Sequence, residues 1–454
     1  MERDGRFADY DDAKVYEDSK RFSLDPSTSN FVVEFGFDSA QIAFNLDENG
    51  FKDLLGSART DERPVRWINI WAPHRQKGIV QFLTEHYEFS PRLSAIIATD
   101  PEADEGISPA PARHHLTQRI FPHNKDDVEL GAVSMDVPRT SLHNDTSHYA
   151  IVKQMYQFHS IDVGQKFICI AANWMHEQEQ KSSKSDRDFN IEEEGQQRRL
   201  YSWLVLCNDN TVISFHEHPG SVGIEDLKSI RSNLLSVLYQ ISKNGYDPAE
   251  VISMQSVRQV LNKSPVDKWG EEGASNLFYY LFDDWRAVYS TVGAFQKRLT
   301  LLQKQIFHNM TRKSVESIDI EIIPKLHVLG TQIRRMHHVY EGYKNLVQRI
   351  LEPPKPSVPD DSRQDPVLAD SARSRFERLG DRLQLMILSE TKEFLTEKDA
   401  LISTYFNINA QKDTESTSRL TRAATLLAKL SVLFLPVNLM TAYFSMQITA
   451  VRPA

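Results

Sequence analysis

Ser431, Leu435, Asn438 and Ala442 follow one another at intervals of four, three and four, the spacing that stacks side chains on one face of an α-helix. Thr441 lies beside that face, and Ser445-Met446-Gln447 adds further polar groups just beyond it. All of them sit in an uncharged stretch from Leu430 to Val451, whose length matches the roughly 20 residues that cross a bilayer hydrocarbon core. Polar groups in such a segment face a partner helix or water. Ser and Thr can return their hydroxyls to their own helix backbone, whereas Asn438 does so less readily. Pro436, two residues earlier, also frees a backbone carbonyl. A row of neutral oxygens on an apolar helix is a candidate lining for an ion path; hydrogen bonding between neighbouring helices is the other reading.

The flanks orient this segment. Arg419, Arg422 and Lys429 precede it and only Arg452 follows. The basic side is retained in the cytosol, so the large N-terminal part is expected there, with the C-terminal segment, 430–451, crossing the membrane once. A buried core helix of a soluble protein is the alternative.

Upstream, a helical run from 370 to 429 carries an apolar stripe of Phe376, Leu379, Leu383, Met386, Phe394, Leu401, Tyr405 and Ile408. With no proline before Pro436, it predicts a stalk on the order of 90 Å long. A helix of that length needs partner helices, from its own chain or from copies of it. Residues 353–369 form a proline-rich linker, and 271–352 repeat apolar residues every three or four positions, predicting two long antiparallel helices.

Strand patterning dominates earlier. Val65–Pro73 reads as a buried strand, and the following QKGIVQFLTEHY places Ile79, Val80, Phe82 and Leu83 at helical spacing, a βα unit. Further strands are expected in 149–161, 165–175, 199–209 and 211–219, with a solvated loop over 177–199 and a helix over 224–242. The α/β domain is placed at 61–270. Residues 1–60, acidic with scattered aromatics and one strand-like piece, NFVVEFGF, are read as a partly disordered extension. The expected fold class is α+β: a cytosolic α/β domain, long antiparallel helices, a stalk helix and one C-terminal transmembrane helix.

The chain of 454 residues, 40% hydrophobic and 25% charged with a net charge of −9, is long enough for two or three packed domains. An acidic balance argues against nucleic acid as a partner. Cys169 and Cys207 fall in apolar strand-like runs and are read as reduced core residues. The N-terminus has no apolar stretch suited to a signal peptide. Neither GxxxxGK[ST] nor GxGxxG occurs, and no catalytic arrangement is identifiable, so no enzyme is expected. His114, His115, His123, His143, His148, His216 and His218 lack strong metal-motif spacing and are read as surface or loop residues.

The terminal run TRAATLLAKLSVLFLPVNLMTAYFSMQI resembles the CorA family of divalent-cation transporters, and most of all fungal CorA-like proteins. Phe434-Leu435-Pro436 matches the segment through which that family's stalk enters the membrane. Phe444-Ser445-Met446-Gln447 occupies the place of its tyrosine-glycine-methionine-asparagine signature, with only the methionine identical. In outline the likeness extends over 61–448. It implies a homo-oligomer, a pentamer in that family, whose first membrane helices surround a pore and whose cytosolic domains sense Mg²⁺, the regulatory and transported ion. Ser445, Met446 and Gln447 would form the signature loop that holds a hydrated cation at the outer mouth, where Asn438 and Gln447 supply amide oxygens. Mg²⁺ gives up its water reluctantly, so oxygens that contact its hydration shell suit it. The family's second membrane helix is expected after the signature, but the sequence stops at Ala454, which predicts a truncated or single-anchor member. Passive divalent-cation transport is the leading expectation. A cytosolic regulatory scaffold anchored on the bilayer, with conduction lost, is the second, and a soluble coiled-coil protein the third.

Overall fold

A computed structural model describes residues 7–57, 59–99, 159–176, 198–219, 224–245, 257–261, 265–283, 285–311, 322–352 and 368–450. The chain divides into two compact units, one of Met1–Val292 with Arg335–Glu390, the other of Gly293–Arg334 with Thr391–Ala454.

The first unit is built on an eight-stranded sheet. Its strands are β1 (Ala8–Asp9), β2 (Asn30–Phe35), β3 (Ala40–Phe44), β4 (Val65–Trp71), β5 (His159–Val163), β6 (Phe167–His176), β7 (Arg198–Cys207) and β8 (Thr211–His216), in spatial order β1-β3-β2-β4-β8-β7-β6-β5. All neighbours are antiparallel except β4 and β8, which run parallel with Asn69 beside Ser214 and Trp71 beside His216. Every residue of β4 is buried, as expected for a strand with helices on both faces. Buried Arg66 is tolerated there because Glu34, directly opposite on β2, takes its guanidinium at 2.7 Å.

One face is covered by α2 (Glu48–Gly56), α3 (Lys77–His86) and α4 (Pro91–Ala98), which bring Phe51, Leu54, Ile79, Val80, Leu83, Leu93 and Ile97 onto Ile68, Ile70, Val205, Ile213 and Phe215. Cys169 and Cys207 lie in this core, buried and unbridged, as expected. The other face is covered by α1 (Ala13–Leu24), α5 (Ile224–Ile230), α6 (Ser232–Ile241) and α8 (Trp269–Phe282), the last packing on β4, β7 and β8; α7 (Val257–Leu261) joins α6 to α8.

Residues 7–57 thus depart from the expected partly disordered extension, whose one strand-like piece by sequence is NFVVEFGF. They add three strands and two helices, and Phe31, Val33, Phe35, Ile42 and Tyr10 are fully buried. Two of the acidic residues that suggested disorder act as helix caps: Asp12 accepts from Lys14 and Val15 N–H, and Asp47 from Gly50 N–H. A second departure lies in the first of the two long helices expected over 271–352. That helix breaks after Phe282, where Asp283 accepts from the Tyr279 hydroxyl at 2.8 Å and from Arg382 at 2.6 Å. Only then does α9 (Trp285–Thr311) begin, with α10 (Ile322–Leu351) after it. The proline-rich stretch and the polar 177–197 loop lie outside the described residues.

The final helical run opens with α11 (Asp370–Arg382), passes through a π-helical turn at Leu383–Leu388, and continues as α12 (Ser389–Ala450). The π turn resets the stripe. Phe376, Leu379 and Leu383 are buried as expected, but Met386 is 45% exposed and Ile387 takes its place in the core. A turn wider than 3.6 residues delays the next inward position by one. Thr391, Phe394, Lys398, Leu401 and Tyr405 then continue the buried face. In the second unit the buried positions of α9 and α10 include Phe295, Leu299, Ile306, Leu326, Leu329 and Ile333. A Cβ added at Gly330 would lie 2.8 Å from Lys398 Cδ, so α10 and α12 approach closely there.

Candidate functional site: the terminal helix

From Phe406 to Ser445 no position of α12 is buried, and Ile408, the last residue of the expected stripe, is only partly buried. The run that contains this segment, Asp370–Ser445, has a window of mean hydropathy 1.7, none of it buried, and is long and apolar enough to cross a membrane. The exposure goes all round the axis. Leu426, Leu427, Leu430, Val432, Leu433, Leu435, Val437, Leu439 and Met440 each expose half or more of their surface. A helix packing on one partner shows one apolar stripe, whereas a helix apolar on every side requires an apolar surrounding. The buried-core alternative therefore does not describe this chain taken singly.

Helical geometry brings Ser431, Leu435, Asn438 and Ala442 within a narrow arc, as their spacing predicts. Each is exposed, and the Asn438 side chain makes no hydrogen bond to any described residue. Thr441 is already satisfied: its Oγ1 donates to the Val437 carbonyl at 2.8 Å. Thr425, Thr421, Thr414 and Thr404 do the same with the carbonyl four residues before each. Ser431 and Asn438 are thus the polar side chains of this face that make no hydrogen bond to a described residue, and of the two only Asn438 carries an amide. Pro436 lies inside the helix without ending it, removing the N–H that would otherwise reach the Val432 carbonyl.

At the far end the backbone differs from the expected loop. Ser445, Met446 and Gln447 are helical, α12 running through them to Ala450. Where the family signature has glycine this chain has Ser445, which lacks glycine's access to left-handed backbone angles and so does not favour leaving the helix. A helical backbone carries the Gln447 Cα roughly 160° around the axis from that of Ser431, so Gln447 and Asn438 do not share one face of this helix.

Among the described residues no cluster of three or more His, Cys, Asp or Glu forms a cation site. His114, His115, His123, His143 and His148 fall outside those residues. His216 is not a loop residue: it ends β8, and its Nδ1 lies 2.9 Å from Ser202 Oγ. It borders a cavity in the sheet unit whose other residues the sequence did not single out. The usable signal was the βα unit itself, since the end of a parallel strand that precedes a helix is where such sheets open.

No protein-family model matches the chain. No curated protein matches it. Among solved structures it is similar to the soluble domain of CorA from Methanocaldococcus jannaschii, at 10% identity and a TM-score of 0.40, over 83% of this chain and 97% of that one. It is also similar to the full-length CmaX protein, at 10% identity and a TM-score of 0.43, over 91% of this chain and 84% of that one. The complete CorA magnesium transporter of Methanocaldococcus jannaschii is a third, at 9% identity and a TM-score of 0.39, over 91% of this chain and 86% of that one. At these values no residue's role passes from those proteins to this chain.

Proposed function

We propose that this chain is a CorA-like divalent-cation transport protein, passive and homo-oligomeric, with its sheet unit in the cytosol and α12 as its membrane helix. The observation that carries the reading is the bare apolar length of α12 with the unsatisfied amide of Asn438 on it. Lipid would cover the apolar sides, and copies of the chain would turn Ser431, Leu435, Asn438 and Ala442 toward a common axis. Amide oxygens at that axis contact the water shell of Mg²⁺ without stripping it. Phe434-Leu435-Pro436 at the membrane entry supports the same family reading, and Arg419, Arg422 and Lys429 support the orientation.

The test is Mg²⁺ entry into liposomes that carry an interior fluorescent indicator. Entry through the reconstituted chain, reduced at least about tenfold by Asn438→Leu, is the expected result. Entry unaffected by Asn438→Leu removes this face from the ion path. Absence of entry, with the protein inserted and oligomeric, favours a membrane-anchored scaffold instead.

A further inference from the structure

The sheet changes the side of its connections between β4 and β8. β4 leads to α3 on one face, β8 to α5 on the other, and the two strands are parallel. Open α/β sheets leave a crevice beyond the carboxyl ends of their strands where connections diverge in this way. Here the crevice is a cavity of about 80 Å³, bordered by Trp71, Ser202 and His216 from the sheet and Leu227, Arg231 and Leu234 from the helices.

Arg231 decides its chemistry. It sits between α5 and α6, only 6% exposed, with its guanidinium stacked 3.9 Å from the centre of the Trp71 ring. One nitrogen, Nη1, donates to the Ser23 carbonyl at 2.6 Å. No ion pair joins Arg231 to any described carboxylate, including Glu217, which also borders the cavity and accepts from the Tyr201 N–H at 3.1 Å. Burial pushes the Arg231 pKa down to about 10, only partly opposed by Asp25, so the cation is held at a cost. An anion placed against the remaining N–H groups would relieve it.

The rest of the wall limits which anion. Leu200, Trp203, Leu204, Ile230 and Leu281 complete it, so most of the lining is apolar. Arg231 carries a single positive charge, which matches a monoanion and leaves half the charge of a dianion such as phosphate uncompensated, and apolar walls offer a fully polar ion no replacement for water. Arginine's planar fork fits a carboxylate with two parallel hydrogen bonds. At about 10–15 Å³ for each water-sized place, the cavity holds a body of about six non-hydrogen atoms. We propose that this cavity binds a short-chain monocarboxylate, its carboxylate on Arg231 and its apolar tail toward Leu204, Leu227 and Leu234.

The probe is butyrate, added to the full chain in detergent and followed by saturation-transfer NMR, with protein-free detergent as the blank. Saturable binding of butyrate by the unaltered chain is expected, with butyramide, its neutral counterpart, at least about tenfold weaker. Arg231→Gln should weaken butyrate by at least a similar factor, and Leu234→Phe should exclude it while keeping the guanidinium. The butyrate–butyramide pair is read on the unaltered chain and so stands even if Arg231→Gln does not fold. Equal binding of butyrate and butyramide, tighter binding of inorganic phosphate, tighter binding of 4-aminobutyrate, or no binding of butyrate at all would each overturn the proposal.

Discussion

Two stretches of one helix, α12, have opposite environments. From Thr391 to Tyr405 it shows one buried face, with Thr391, Phe394, Lys398, Leu401 and Tyr405 at three- and four-residue spacing and polar residues on the opposite side. From Leu426 to Phe444 apolar side chains project in every direction and none is buried. The first stretch is held by packing within the chain. The second makes its backbone hydrogen bonds internally and leaves its side chains to a surrounding that the chain does not supply. The difference shows that the pattern of apolar residues, more than their number, tells which neighbour a helix requires.

The comparison breaks most readily at Phe394. Phe394→Ala removes a side chain 4% exposed and should cost about 3–5 kcal/mol of unfolding free energy, read as a lowered denaturation midpoint in detergent. A loss below about 1 kcal/mol would mean the upper stretch is not held by its own packing. Next in size is Leu439→Lys in the lower stretch. A lysine at the centre of a membrane helix disfavours insertion by about 2.5–3.5 kcal/mol, so the variant should shift toward the soluble fraction after an alkaline wash of membranes. Retention equal to the parent chain would point to protein in place of lipid around Leu439.

The third prediction separates the sheet unit from the terminal helix by pH. Burial raises the thiols of Cys169 and Cys207 above their ordinary 9.0 and the phenols of Tyr10 and Tyr87 above 10.0. The folded sheet therefore keeps protons that the unfolded chain releases. Stability from these groups is fully present below pH 9 and falls as the pH rises above it, by at most about 1.4 kcal/mol per pH unit for each group. Denaturation of the sheet unit followed by tryptophan fluorescence between pH 8 and 11 should show this decline, shallower in Cys207→Ala. An unchanged slope in that variant would remove Cys207 from the set.

Much of this was legible in the sequence because periodicity reports burial directly. The fully apolar β4, the helix after it, the cysteine-bearing strands and the uncharged terminal segment all appear where the pattern put them. What escaped depended on partners distant in sequence. Glu34 makes Arg66 admissible in a core, and Asp283 ends a helix by meeting Arg382. The π turn at Leu383–Leu388 is likewise invisible to a fixed 3.6-residue period, which is why Met386 and not Ile387 was placed inside. At the candidate site, the shared face of Ser431, Leu435, Asn438 and Ala442 followed from spacing alone. The helical state of Ser445–Gln447 did not, since the family signature implied a loop. Arg231 escaped because its significance lies in Trp71, 160 residues earlier in the chain.

The parallel pairing of β4 with β8 also sets a schedule for synthesis. Asn69 and Ser214, hydrogen-bonded across that pair, are 145 positions apart in sequence. At about 5–20 residues per second, a ribosome needs roughly 7–30 s to pass from one to the other. During that interval β4 can pair with β2 on one side only, and its other edge, flanked by Trp67 and Trp71, stays open. The nascent sheet therefore presents an adhesive strand edge for longer than small domains usually take to fold, which makes this interval the point in the life of the chain at which a chaperone has most to do.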